Sequence, residues 1–308
     1  MKKVFIDGSA GTTGLRIRER LSARKDVLLI TLPENLRKDV TARKDAINSA
    51  DVAFLCLPDL AAIEAVSLVE NNTTVIIDTS TAHRTLPEFA YGFPEIDENI
   101  FEKVRSSKRI AVPGCHASGF IALVYPLVKA GVIPKNTLLT CTSITGYSGG
   151  GKQMIAEYQS ESRSKYLDSP RQYGITQHHK HLKEIVHIAG LENAPVFMPI
   201  VADFYSGMEV TVPLFKSQIN GSVETIKEIY EKTYTGPIVN YKPDMSENGF
   251  MASNILSHKD SMDITVHGNE DRILLVSRYD NLGKGASGAA IECFNIVTGV
   301  DITQGLEL

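Results

Sequence analysis

Apolar and polar positions change rhythm once along the chain. In the first half, short apolar runs alternate with amphipathic segments. Lys3–Ile6, Val27–Leu32, Asp51–Pro58, Val75–Asp78 and Arg109–Val112 read as strands. Gly14–Ser22, with Leu15, Ile17 and Leu21 near one face, reads as a helix, as do Asp39–Ser49 and Leu60–Glu70. Strand and helix taking turns predicts a parallel sheet covered on both faces. A strongly apolar helix, "GFIALVYPLVKAG", follows, with Lys129 and Gly131 as stop signals.

The second half favours period two. "TLLTCTSITGYSG", "APVFMPIVADF", "GMEVTVPLF", "DSMDITVHGN" and "DRILLVSRYDN" are rich in β-branched residues, and they predict a mixed or antiparallel sheet with one solvated face. "SVETIKEIYEKTY" reads as an amphipathic helix capped by Ser222. "GKGASGAAIECFNIVTG" reads as a closely packing last helix that returns to the first domain. The expected fold class is α/β: a doubly wound parallel-sheet domain plus an α+β domain with a mixed or antiparallel sheet. The boundaries expected are 1–114 with 285–308 for the first, and 115–284 for the second.

Composition adds mainly exclusions. The 308 residues are 43% hydrophobic and 22% charged, with a net charge of −4. That mild balance, with scattered Lys and Arg, gives no reason to expect nucleic acid or membrane as partners. The apolar run after the first lysines is only Val4 to Ile6, too short for a signal peptide. Four widely spaced cysteines without a CxxC pair argue against a zinc site or disulfide framework and fit the cytoplasm.

Candidate chemistry begins at "FIDGSAGTTG". Gly8, Gly11 and Gly14 follow the first strand and open a helix, with Ser9, Thr12 and Thr13 adding hydroxyls. Glycines admit a pyrophosphate close to the backbone, and a helix N-terminus offers N–H groups and positive dipole, as in Rossmann-like domains. The bland reading is a plain connecting turn. The second strand ends without an acid at its tip. Arg37 and Lys38 follow and suit the 2′-phosphate of NADP(H), unless they are only a solvated loop.

The second signal is "AVPGCHASG". Cys115 lies between a Pro-Gly turn and the first turn of the apolar helix. That address lowers a thiol pKa and supplies N–H donors for an oxyanion. Cys56, Cys141 and Cys293 sit inside apolar runs and read as packing residues. "HHKHLKEI" offers His178, His179, His181 and Glu184. On a helix, His181 and Glu184 share a face, so the carboxylate is placed to orient or charge an imidazole. A metal cluster and a solvated His-rich loop are the alternatives; with no further ligand group in view, no metal is expected. His116 is expected to point away from Cys115.

The ordered set "GSAGTTGLRI", "DTSTAHR", "YGFPEI", "VPGCHASG", "SGGGK", "HHKHLKEI" and "NLGKGASGAA" resembles the shorter, second type of N-acetyl-γ-glutamyl-phosphate reductase, within the wider aspartate-semialdehyde dehydrogenase plan. The resemblance spans essentially the whole chain. It implies NADPH-dependent reduction of N-acetyl-glutamyl 5-phosphate through a thioester on Cys115, with His181 as general acid/base and His179 and Glu184 in support. It further implies a substrate-anion contact at Arg84, a flexible substrate loop at Ser148–Lys152 (Ser148, Gly149 and Lys152 the contacts), and Asn281 near the nicotinamide, with Gly283 and Gly285 permitting close approach there. A homo-oligomer, a tetramer by expectation, is implied as well. "DTSTAHR" departs from the "DLSADFR" form of the longer type. Two rivals remain at this stage. One is another acyl-phosphate reductase such as aspartate-semialdehyde dehydrogenase; the other is a non-catalytic NADP-binding regulator.

Overall fold

The computed structural model describes residues 1–308. The chain divides into two compact units. One comprises Met1–Pro94, Glu98–Pro113 and Ala286–Leu306; the other comprises Glu95–Asp97, Gly114–Gly285 and Glu307–Leu308.

The first unit contains β1 (Lys2–Asp7), α1 (Thr12–Ser22), β2 (Val27–Ile30), α2 (Val40–Ser49), β3 (Val52–Leu55), α3 (Asp59–Ser67), β4 (Val75–Asp78), β5 (Ala90–Tyr91), α4 (Glu98–Ser106) and β6 (Arg109–Ala111). Its six strands run parallel in the order β2-β1-β3-β4-β6-β5. Alternation along each strand divides the apolar side chains between two faces. Val4, Ile6, Phe54 and Ile77 join one core, which also takes Ile17 and Leu21 of α1 and Val104 of α4. Phe5, Ala53, Leu55 and Ile76 join the other, with Ala46 and Ile47 of α2 and Ala65 of α3. The pattern thus predicts a doubly wound sheet, and that is the sheet found. β5 and α4 have no counterpart in the sequence reading. β5 is two residues long, and α4 buries only Val104 fully. β2 stops at Ile30, two residues short of its apolar run, ahead of Pro33.

The second unit contains α5 (Cys115–Lys129), β7 (Thr140–Gly146), α6 (Gly151–Gln159), β8 (Arg171–Gln172), α7 (His181–Ala189), β9 (Val196–Ala202), β10 (Met208–Phe215), α8 (Val223–Thr233), β11 (Val239–Tyr241), β12 (Met262–Gly268) and β13 (Arg272–Tyr279). The sheet order is β11-β12-β13-β10-β7-β9-β8. The sheet is mixed, with β7–β9 and β11–β12 parallel and the other pairs antiparallel. Along β10, Met208, Val210, Val212 and Leu214 are buried, whereas Pro213 and Phe215 are exposed. One face of β10 is therefore covered and the other partly open, whereas Met262–Val266 of β12 and Leu275–Tyr279 of β13 are buried on both faces. α5 packs on β10 and β13 and against α7 and α8. Ser222 caps α8, accepting from the Thr225 N–H at 3.2 Å.

The last helix, α9 (Gly288–Thr298), belongs to the first unit, where Ala289, Ala290, Cys293 and Phe294 enter the core of Val4 and Ile17.

Candidate active site

The thiol site lies in the second unit. Gly114 is the N-cap of α5, and Cys115 is its first residue. The first bond within the helix runs from the Ser118 N–H to the Gly114 carbonyl at 2.8 Å. The N–H groups of Cys115, His116 and Ala117 precede it. Cys115 is half-buried. The other cysteines have a different setting. Burial pushes the Cys56 thiol up to about 12 and raises that of Cys141 as well, and Cys293 is buried in the core of the first unit.

α7 brings the imidazoles. His181 is its first residue and is buried; His179, just ahead, accepts from the His181 N–H through Nδ1 at 3.3 Å. This bond caps the helix start and fixes the relation between the two rings, whose centroids are 4.8 Å apart. Burial lowers the His179 pKa, with the Lys180 charge adding to it. His178, in the same run, is exposed.

Glu184, one turn along α7, is 2% exposed, and its Oε1 accepts the Gly114 N–H at 2.8 Å. Sequence reasoning assigns this carboxylate to an imidazole. The observed bond ties it to the turn that presents Cys115.

His116 brings a third ring. Its ring lies 5.8 Å from that of His179 and 5.7 Å from that of His181, so it completes a three-imidazole cluster. Nδ1 meets Ser143 Oγ at 2.6 Å, and Nε2 meets the Tyr173 hydroxyl at 2.5 Å. Burial first, then the His179 and Lys180 charges, lowers its pKa to about 3, so it is neutral at physiological pH. Tyr173 keeps its proton, because burial and the Cys115 charge both raise its pKa.

The remaining candidates in this unit are more constrained than expected. Ser148 is buried and accepts from Asn281 Nδ2 at 3.0 Å, while Asn281 Oδ1 accepts the Gly207 N–H at 3.0 Å. The Asn281 amide thus braces two segments of the unit. The "SGGGK" stretch is no open loop: Tyr147–Gly150 forms a 3-10 turn, and Gly151 and Lys152 begin α6. The helix-forming residues that follow override the glycine run. Gly149 lies beside Asn281, and a Cβ there would make an ordinary contact 3.5 Å from its Nδ2. At Gly283 the backbone packs closely on the protein itself: a Cβ there would lie 1.9 Å from the Lys259 carbonyl oxygen.

The glycine turn occupies the first unit. Gly8 has φ +82°, and a Cβ on it would lie 2.2 Å from the Cys56 carbonyl oxygen. Only glycine supplies that backbone without strain. Gly11 is the N-cap of α1, and its N–H donates to the Gly8 carbonyl at 3.0 Å. Gly14 lets α1 lie on the turn, where a Cβ would come within 2.5 Å of the Gly8 oxygen. A cavity of about 460 Å³ opens beside it, lined by Gly8, Ser9, Thr31, Glu34, Arg37 and Lys38, among others. Thr12 and Thr13 form the first turn of α1. Backbone cradle, helix N-terminus and flanking cations together fit a phosphorylated dinucleotide.

Arg84 is buried. Its Nε donates to the Val112 carbonyl at 2.9 Å, and one Nη donates to the Thr79 carbonyl at 3.0 Å. These bonds join the chain just beyond β6 to the chain just beyond β4. Nearby, Asp78 accepts from Ser80 Oγ and pairs with His83 Nδ1, each at 2.6 Å, which orders the rest of "DTSTAHR".

Comparison with known proteins accounts for both units. The family description "Semialdehyde dehydrogenase, NAD binding domain" matches residues 3–104, and "Semialdehyde dehydrogenase, dimerisation domain" matches residues 115–281. An N-acetyl-gamma-glutamyl-phosphate reductase of Sinorhizobium medicae is 42% identical over 304 residues, covering 96% of this chain and 98% of that protein. The chain belongs to the N-acetyl-γ-glutamyl-phosphate reductase family. A Brucella suis reductase of the same name is 43% identical over 306 residues, covering 96% and 99% of the two chains. Among solved structures, an aspartate semialdehyde dehydrogenase of Francisella tularensis aligns with TM-score 0.72 at 14% identity, over 97% of this chain and all of that one. One from Candida albicans, described with NADP, aligns with TM-score 0.68 at 15% identity over 98% and 99%. These likenesses establish the fold that this reductase-family chain shares with the dehydrogenases.

Sequence reasoning about the reductase site missed Arg18 and Asn35, which line the cavity. Arg18 is the next residue but three after Gly14, one turn into α1, a signal helical periodicity could have offered. It also missed His116 and Tyr173. His116 had a signal in its adjacency to Cys115; Tyr173 had none.

Proposed function

We propose that the chain catalyses NADPH-dependent reduction of N-acetyl-glutamyl 5-phosphate to N-acetyl-glutamate 5-semialdehyde and phosphate, a step of arginine biosynthesis. The observation that carries the chemistry is Cys115 as the first residue of α5, in the same unit as His181 at the head of α7. Family membership carries the substrate.

His181 takes the thiol proton of Cys115. The sulfur attacks the acyl carbon, and the C–S bond forms as the N–H groups of the first α5 turn receive the oxyanion. The C–O bond to phosphate then breaks, the electron pair leaves with phosphate, and His181 returns its proton to that group. NADPH, when bound at the glycine turn with Arg37 and Lys38 toward its 2′-phosphate, supplies the hydride that takes the thioester to the aldehyde. The C–S pair returns to Cys115 as thiolate, and one solvent proton restores the resting site. His179 holds the start of α7, and Glu184 holds Gly114. Lys152 and Ser148 are proposed toward the substrate, and Arg84 toward its anion. Four free cysteines and a thiolate nucleophile suit a reducing cytoplasm. No helix is long and apolar enough to cross a membrane. The open sheet face, with Val196 and Phe215 more than half exposed, supports a homo-oligomer, with a tetramer expected.

The deciding assay runs in reverse. N-acetyl-glutamate semialdehyde or aspartate semialdehyde is offered with NADP and phosphate, and reduced cofactor is followed. Turnover with the first supports the reading. Turnover with only the second assigns the chain to the rival dehydrogenase activity, and none with either leaves a binding protein.

A further inference from the structure

Directly behind Cys115 runs the segment Tyr279–Gly285, the end of β13 and the turn after it. Tyr279 is fully buried, and its hydroxyl donates to the Cys115 carbonyl at 2.5 Å. The same hydroxyl oxygen accepts the Gly119 N–H at 3.1 Å, so one phenol touches the Cys115 carbonyl and the N–H one helical turn on. Room for it exists because residue 119 is glycine; a Cβ there would lie 2.6 Å from the hydroxyl. Six residues on, Gly285 meets the other side of the nucleophile, where a Cβ would lie 3.1 Å from that of Cys115.

The segment is itself immobilised. Asp280 is fully buried. Its Oδ1 accepts the Leu282 N–H at 2.8 Å, Oδ2 accepts Ser206 Oγ at 3.1 Å, and its carbonyl accepts the Gly285 N–H at 3.0 Å. Lys284, also buried, pairs with Glu95 at 2.5 Å. Such anchoring exceeds what a connecting turn needs, and it places two fixed contacts on one residue.

We infer that Tyr279 and Gly285 are positioning residues that hold Cys115 from behind, setting the direction of its sulfur and the geometry of the first α5 turn. The inference rests on Cys115 being the nucleophile and is independent of which acyl phosphate it attacks. The hydroxyl donor also couples to the sulfur electrostatically. Burial, then negative charge on Cys115, raises the Tyr279 pKa well above its ordinary value, so the phenol stays protonated when the thiolate forms. A neutral hydroxyl therefore holds the Cys115 carbonyl throughout the pH range in which the thiolate forms.

The fold contains its own control. Tyr230 of α8 is equally buried, and its hydroxyl donates to the Leu123 carbonyl of α5 at 2.6 Å, two turns from Cys115. Tyr279→Phe and Tyr230→Phe each remove one buried phenol hydroxyl from α5. Iodoacetamide alkylation of Cys115 is read against pH in folded protein, with kcat and KM for the acyl phosphate. His116, His179, His181, Tyr173 and Glu184 are intact in both variants. Tyr279→Phe is expected to raise the alkylation midpoint by about half a pH unit or more and to lower kcat about tenfold, with KM within twofold. Tyr230→Phe should leave the profile in place. Gly285→Ala should move it as Tyr279→Phe does. Equal profiles for the two Tyr variants, or a Tyr279→Phe profile matching the unmodified chain, would overturn the inference. Neither result bears on the substrate, which the reverse assay decides separately.

Discussion

The Glu184 carboxylate accepts the N–H of Gly114 at 2.8 Å, joining the first turn of α7 to the turn that presents Cys115. Both groups are buried. The bond fixes the Pro-Gly turn through the Gly114 N–H, immediately ahead of the first residue of α5.

Removing that carboxylate should cost both stability and rate. Glu184→Ala leaves a buried N–H without its acceptor, at about 1–3 kcal/mol. Glu184→Gln keeps an acceptor oxygen and should lose less. Urea unfolding of the two variants, with kcat measured beside it, checks the order. Equal stability of Glu184→Ala and the unmodified chain would remove the role assigned to this bond.

One thiol should dominate the reactivity of the chain. The Cys56 thiol is pushed up to about 12 by burial, and Cys141 and Cys293 are buried. Brief iodoacetamide treatment near neutral pH should therefore modify one site, Cys115, as read by peptide mass. Cys115→Ala should abolish both labelling and turnover while dinucleotide binding persists. Turnover in that variant would rule out a thioester route.

Acid should weaken the fold through His116. Its folded pKa is depressed to about 3, whereas an unfolded imidazole titrates near its ordinary 6.5. Below about 6.5 the unfolded chain binds the proton first, so this contribution is complete above that pH and is lost as pH falls toward 3. The slope from a single such site is at most about 1.4 kcal/mol per pH unit. His179, also depressed, adds in the same direction. Replacing His116 with Asn should flatten the dependence of the urea midpoint on pH between about 4 and 6. An unchanged slope would show that His116 is not the group being titrated.

Cofactor choice should follow the cations beside the glycine turn. Arg37 and Lys38 line the cavity with Glu34. Arg37→Ala with Lys38→Ala should raise KM for NADPH about tenfold or more, on the scale of a lost charge-assisted contact, and leave KM for NADH nearly unmoved. Equal losses for both dinucleotides would place these cations outside 2′-phosphate recognition.

Local pattern determined much of this protein from sequence alone. Short continuous apolar runs between amphipathic segments specify a doubly wound sheet, because burial on two faces demands apolar side chains on both sides of each strand. Gly8, Gly11 and Gly14 mark the tight strand-to-helix turn that is found, because the requirement there is a backbone one, complete within a single turn. Cys115 stands out for the same reason, since a helix N-terminus is a local field.

Tertiary structure decided the rest. That Glu184 serves Gly114, that His116 joins His179 and His181, and that Tyr279 bonds to Cys115 all depend on contacts spanning 63 to 164 residues. No spacing rule reaches across such separations. Which side chains meet is set by strand register and by how α5 and α7 dock on the sheet and on each other, and side-chain identity alone leaves those open. Arg84 and Asn281 show the same limit. Sequence offers both as ligand contacts, and the fold adds bonds that no motif announces, from Arg84 Nε to the Val112 carbonyl and from Asn281 to Ser148 and Gly207, because a buried donor left without an acceptor is costly.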